Sequence, residues 1–320
     1  MIEEILWQGI KIFELQNNRL RARISPLHGA NLFDLLDKKS EQPLLRTPSS
    51  PQELFERPQF FGIPNLLPPN RLKGGKFTWQ GETFEFPKND GHGNHIHGVV
   101  MDKPWRFSHL EDSDEHTSLT LTLDVVDHVE CYQALRRKLK LSVTITLEDA
   151  VCKHQFVVEN LDTKAVPIGY GAHTWFHLAG GRSAWNITVP FEKIWELDEE
   201  ILPTGAFLSG EKIKALATGL SLKEKKFDTI LFRGKHDPLV SLEAATGMKI
   251  LYCVSDAFKH WVLHTPDDDP NALAIEPYSW ITNAPNLALD PSDTGLSVLG
   301  PGDSAVFTQE ISLSTSTLCP

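Results

Sequence analysis

An all-β fold, built from antiparallel strands in packed sheets, is what this sequence predicts, and three observations carry that expectation. Apolar and polar residues alternate with a period of two over several runs. Turn-forming residues bracket those runs, and helical patterns are scarce. No α pattern alternates with the strands in the way a βαβ fold demands.

The elements follow in chain order. Residues 51–56 (PQELFE) could form one or two helical turns. Residues 118–125 (SLTLTLDV) and 139–147 (LKLSVTITL) alternate cleanly and are rich in β-branched residues, as half-buried strands require. Residues 155–160 and 185–189 are further strand candidates, separated by turn formers at Asp149, Asn160-Leu-Asp162 and Gly180-Gly181. Residues 211–217 (EKIKALA) suggest a second short helix. The turn Gly300-Pro-Gly-Asp303 leads into a last strand at 305–313. No linker or internal repeat interrupts the pattern, so residues 1–320 read as a single domain.

Composition narrows the function. The net charge of −11 excludes the basic surface that nucleic-acid binding demands. The cluster Arg136, Arg137, Lys138 and Lys140 reads as a solvated strand face. No apolar run approaches the ~20 residues of a membrane span. The N-terminus is acidic where a signal peptide is basic. Four cysteines (Cys131, Cys152, Cys253, Cys319) without CxxC spacing suggest neither a disulfide framework nor a zinc cluster, and fit a cytoplasmic protein.

Four stretches carry side chains with chemistry to offer. The first ends a proline-rich loop at Asn70-Arg71, where a stiff backbone would hold the Arg71 fork in place for oxygen ligands. The second, 91–98 (GHGNHIHG), offers either a metal site from His92, His95 and His97 or one working histidine in a glycine-flanked turn. The cupin-like reading lacks a glutamate a few residues on. The third places His173 among aromatic and small residues, as a buried structural histidine or as one with a shifted pKa. The fourth sets Glu276 after an apolar run and before Pro277, which should end the strand; the carboxylate is either a rim group or a general base. Asp228 opens another apolar run. No phosphate-cradling loop, dinucleotide fingerprint or nucleophile elbow is present, so no cofactor is expected.

In that order, these stretches resemble the aldose 1-epimerase family along most of the chain. The matching motifs are Asn70-Arg71 with Gly75-Lys-Phe77 and Gly81; Asn94, His97-Gly98 and Trp105; His173-Thr-Trp175-Phe176; Asp228; and Glu276-Pro277 with Ala284-Pro-Asn286. Trp175 stands where many relatives have Tyr, and Tyr278 where galactose-handling members often have Gln. The resemblance implies a large antiparallel β-sandwich of the galactose mutarotase-like kind, and interconversion of the α and β anomers of an aldose. It implies Glu276 as base, His173 as acid and His97 as a polarising partner. It implies Arg71, Asn70 and Asp228 as binders of a small-molecule sugar, with Trp175, and Trp261 as a second candidate, offering the ring an apolar face. No metal is implied. Two other readings stay open: a non-catalytic carbohydrate-binding protein on the same scaffold, and a metal-dependent isomerase using the His92–His97 cluster. Neither the sugar nor the oligomeric state is legible.

Overall fold

The computed structural model of the chain describes residues 1–208, 211–234 and 237–313. Two large antiparallel sheets face each other. One has nine strands, in the order Arg106–Asp112, Thr117–Asp124, Leu139–Glu148, Val151–Asn160, Ser304–Ser312, Lys249–Val254, Leu239–Ala244, Trp185–Thr188, Leu220–Ser221. The other runs Pro203–Leu208, Lys193–Leu197, Asp228–Phe232, His260–His264, Ala272–Tyr278, Gly171–Ala172, Asn65–Leu66, with Thr174–His177 also paired to Ala272–Tyr278. A five-stranded sheet from Ile2–Trp7 to Gln42–Pro43 precedes them. This is the sandwich that the resemblance implies.

The alternating runs form strands because one face of each can be buried. Leu139, Leu141, Val143, Ile145 and Leu147 are all buried, while Lys140, Ser142, Thr144 and Thr146 are only partly covered. Their inner face meets Phe156, Val158, Tyr252, Leu263, Leu273 and Ile275 in one continuous core. The short helices at Pro51–Glu56 and Glu211–Thr218 also form, the first capped by the Ser50 side chain on Glu53 N–H.

Three expectations need correction. The basic cluster is not a solvated strand face. Arg136 ends the helix Val129–Leu135 in a left-handed conformation, and Arg137 is buried over the Phe84 ring and paired with Glu82. The strand starts only at Leu139. Pro277 does not end its strand, which runs through it to Tyr278. Cys253 is disulfide-bonded, because linear spacing does not decide which thiols meet in space. Cys131 and Cys152 are buried free thiols, and Cys319 lies outside the described residues.

Candidate active site

Strand register assembles the site. On the eight-stranded sheet, Thr174–His177 pairs with Ala272–Ile275, and Gly171 pairs with Tyr278. Continuing that register puts His173 opposite Glu276. The ladder is interrupted there: Pro277 has no N–H to give, and the His173 N–H bonds to Pro64 O instead. On the other side, Glu276 faces Val262, and Ala274 faces His264, which in turn faces Asp228. Side chains two apart share a face. One row therefore reads Ile230, Val262, Glu276, His173, and the next reads Asp228, His264, Ala274, Trp175.

Within that pattern, His173 Nε2 lies 3.4 Å from Glu276 Oε1. Tyr278, on the same face of the strand, donates its hydroxyl to Glu276 Oε2. The His173 ring stacks on Trp175 with centroids 5.1 Å apart, and the Trp175 indole N–H is held by Gln59 O at 2.7 Å. The small Ala274 lets the His264 ring reach Trp175 edge-on at 5.8 Å. His264 Nδ1 stands 3.8 Å from Asp228 Oδ1, an ion-pair distance rather than a hydrogen bond.

The loops before Leu72 and after His95 bring the remaining groups. Arg71–Leu72 pairs with His95–Ile96, and His97 N–H bonds to Asn70 O. His97 adopts φ 69°, and its ring sits 5.1 Å from that of His173. Arg71 Nε bonds to Asp90 Oδ2 at 3.2 Å, while Asp90 Oδ1 accepts the N–H groups of His92 and Asn94. Asn70 Oδ1 accepts both the Arg71 N–H and its Nη1. The Ala284-Pro-Asn286 region serves as a clamp: Asn283 N–H bonds to Arg71 O, and Asn283 Oδ1 takes Lys73 N–H.

The electrostatics follow from burial. Loss of solvation pushes the Glu276 carboxyl up to about 8, against the pull of the Tyr278 hydroxyl and the positive charge at His264. Burial likewise drives His173 well below its ordinary value and His97 down to about 3, with neighbouring cationic groups adding to both. His264 goes the other way: burial opposes its charge, but Asp228 and Glu276 outweigh that and raise it. His264 holds the Asp228 carboxyl below the usual carboxylate range.

Glu276, His173, His97, Arg71, Asn70 and Asp228 thus gather at one locality. Trp175 does not meet the expectation set for it. It is closed off from solvent and lies beneath His173, so it supports that ring and offers no face to a sugar. Trp261 is an odd-numbered residue on a strand whose even positions face the site; it is buried in the main core. The three histidines of 91–98 diverge: His92 is exposed, His95 Nδ1 meets Pro87 O at 2.7 Å, and His97 faces His173. Sequence reasoning missed His264, and it noted Tyr278 only as a departure. Their even spacing from His260 and Glu276 was visible, but its meaning depends on the pairing.

A family model described as Aldose 1-epimerase matches residues 11–312. Among solved structures, a galactose mutarotase-like protein from Clostridium acetobutylicum superposes with a TM-score of 0.92 at 25% identity, covering 99% of each chain. A galactose 1-epimerase from Lactobacillus acidophilus NCFM shares the fold, with a TM-score of 0.76, 17% identity and 98% coverage of both chains. The uncharacterized protein YihR of Escherichia coli is 24% identical over 230 residues, which are 70% of this chain and 72% of that protein.

Proposed function

Because the chain belongs to the aldose 1-epimerase family, we propose that it is a mutarotase that opens and recloses the pyranose ring of an aldose by acid–base catalysis, without metal or cofactor. The observation that carries this reading is the buried pair of His173 and Glu276, with Nε2 and Oε1 3.4 Å apart.

Burial drives both members toward their uncharged forms, a protonated carboxyl and a neutral imidazole. The ionised arrangement, carboxylate with imidazolium, holds the same number of protons. The two differ only in where one proton sits. Glu276 as carboxylate takes the proton of the C1 hydroxyl while His173 as imidazolium delivers its own to the ring oxygen. The C1–O5 bond breaks, O1 becomes the aldehyde oxygen, and the pair is left in its uncharged arrangement. Rotation about C1–C2 presents the other carbonyl face, and the reverse transfers close the ring. No proton is exchanged with solvent over the cycle. Groups of this kind contribute about 10²–10⁴-fold each.

His97 stands beside His173 as a neutral hydrogen-bonding partner for oxygens near C1. Arg71, Asn70 and Asp228 hold ring hydroxyls. A cytoplasmic location is part of this reading; the disulfide at Cys253 weighs against it, and cell fractionation is the test. Among the described residues no helix is long and apolar enough to cross a membrane.

The test is polarimetry, or NMR exchange between anomers, over a panel of free and derivatised aldoses. Acceleration over the buffer rate for at least one sugar is expected. Saturable sugar binding with no acceleration for any of them would recast the protein as a sugar binder.

A further inference from the structure

Tyr278 occupies a place in the site that the proton-transfer scheme does not use. Its ring is buried, and its hydroxyl donates to Glu276 Oε2, leaving Oε1 as the oxygen that faces His173. The fold makes room for it. Gly171 lies opposite on the neighbouring strand, and a Cβ there would come within 2.4 Å of the Tyr278 ring and 2.7 Å of Pro69 Cβ. Any side chain at 171 would displace the ring from its seat. Nearby, the Asn70 Oδ1 accepts from Arg71 and so fixes its guanidinium. Tyr278 and Glu276 thus form one hydrogen-bonded pair in a closely packed seat.

We propose that Tyr278 is the positioning residue of the reaction: it blocks Oε2, aims Oε1 at the C1 hydroxyl, and favours the carboxylate form of Glu276. The inference rests on the mutarotase reading above. A donor to one carboxylate oxygen favours the ionised form. It also removes one of two otherwise equivalent proton acceptors, so the proton of the C1 hydroxyl has a single destination.

Tyr278→Phe keeps the ring and removes the donor. With wild-type mutarotation established on a good sugar, kcat should fall about 10- to 100-fold, as expected for a lost hydrogen bond to a charged group, while KM changes less than threefold. The alkaline limb of the pH profile should move up by about one pH unit, and the ¹³C resonance of the Glu276 carboxyl should titrate with the same displacement. Replacing Tyr278 by 3-fluorotyrosine strengthens the donor and should move that limb downward, which gives a second reading should the Phe variant fail to fold. Tyr278→Leu, which also removes the ring, separates packing from hydrogen bonding. An unchanged kcat and pH limb in Tyr278→Phe, with loss only in Tyr278→Leu, would overturn the proposal. So would an unmoved limb with 3-fluorotyrosine. Absence of mutarotation in the wild type would instead defeat the functional reading, and the carboxyl titration would still test whether Tyr278 acts on Glu276.

Discussion

Replacing Glu276 by Gln should make the protein more stable and nearly inactive at once. The carboxyl titrates near 8 in the folded protein and about 4.5 in an unfolded chain. Its folded value is raised, so its penalty is absent below pH 4.5 and grows as pH rises: the unfolded chain ionises and gains solvation that the folded site denies. Linkage puts this at about 3 kcal/mol at pH 7 and about 1 kcal/mol at pH 5. Gln keeps the shape and an oxygen for the Tyr278 hydroxyl but has no proton to lose. Urea unfolding of both proteins at pH 5, 6 and 7 should therefore show the variant more stable, by an amount that shrinks toward pH 5. Residual mispairing of the Gln amide makes these figures upper limits. In the same samples kcat should drop at least about 100-fold, the lower end for a lost general base. A stability difference that is negative, or that does not change with pH, would refute the account of a buried, uncharged carboxyl. Retention of most activity would refute its role as base.

The other expectations rest on the same geometry. His173→Asn should also nearly abolish mutarotation, and the double variant with Glu276→Gln should be little worse than either single, because both groups serve one transfer; His92→Asn, at an exposed position, is the control and should leave the rate close to wild type. The pH–rate profile should be bell-shaped, its alkaline limb near 8 from loss of the shared proton and its acid limb well below 6.5 from a second proton reaching His173; a profile rising through pH 8 would contradict this. Arg71→Ala should raise KM more than it lowers kcat, measured by anomer exchange at varied sugar concentration. Treatment with EDTA should leave activity intact, since His92, His95 and His97 diverge; loss of activity with restoration by one metal would reopen the histidine cluster.

The strands were readable where burial is one-sided, as in Leu139–Glu148, since alternation is then written directly into the residues. Helix Val129–Leu135 was not, because it is short and leaves Val129 and Tyr132 exposed, which blurs any apolar stripe. The site was legible as a set of residues only through family resemblance. Its geometry depends on 174–177 lying against 272–275, a pairing across about a hundred residues that no local pattern encodes. For that reason Trp175 and Trp261 looked equivalent as aromatic surfaces, although parity on their strands sends one beneath His173 and the other into the core. His264 was hidden for the same reason: in residues 260–264 (HWVLH) it reads as a strand end until Asp228 is known to face it.

The strand Ser304–Ser312 lies in the middle of the nine-stranded sheet, between Val151–Asn160 and Lys249–Val254. Until it arrives, both neighbours present an open row of backbone donors and acceptors, each a template for pairing with another copy of the chain. Contacts of such long sequence separation close slowly. Regain of catalysis after dilution from denaturant should therefore lag the recovery of the local hairpin 139–160, and the yield should fall as protein concentration rises. On the proposed reading, recovery of mutarotation thus becomes a clock for the closing of a sheet on which none of the candidate site residues sits.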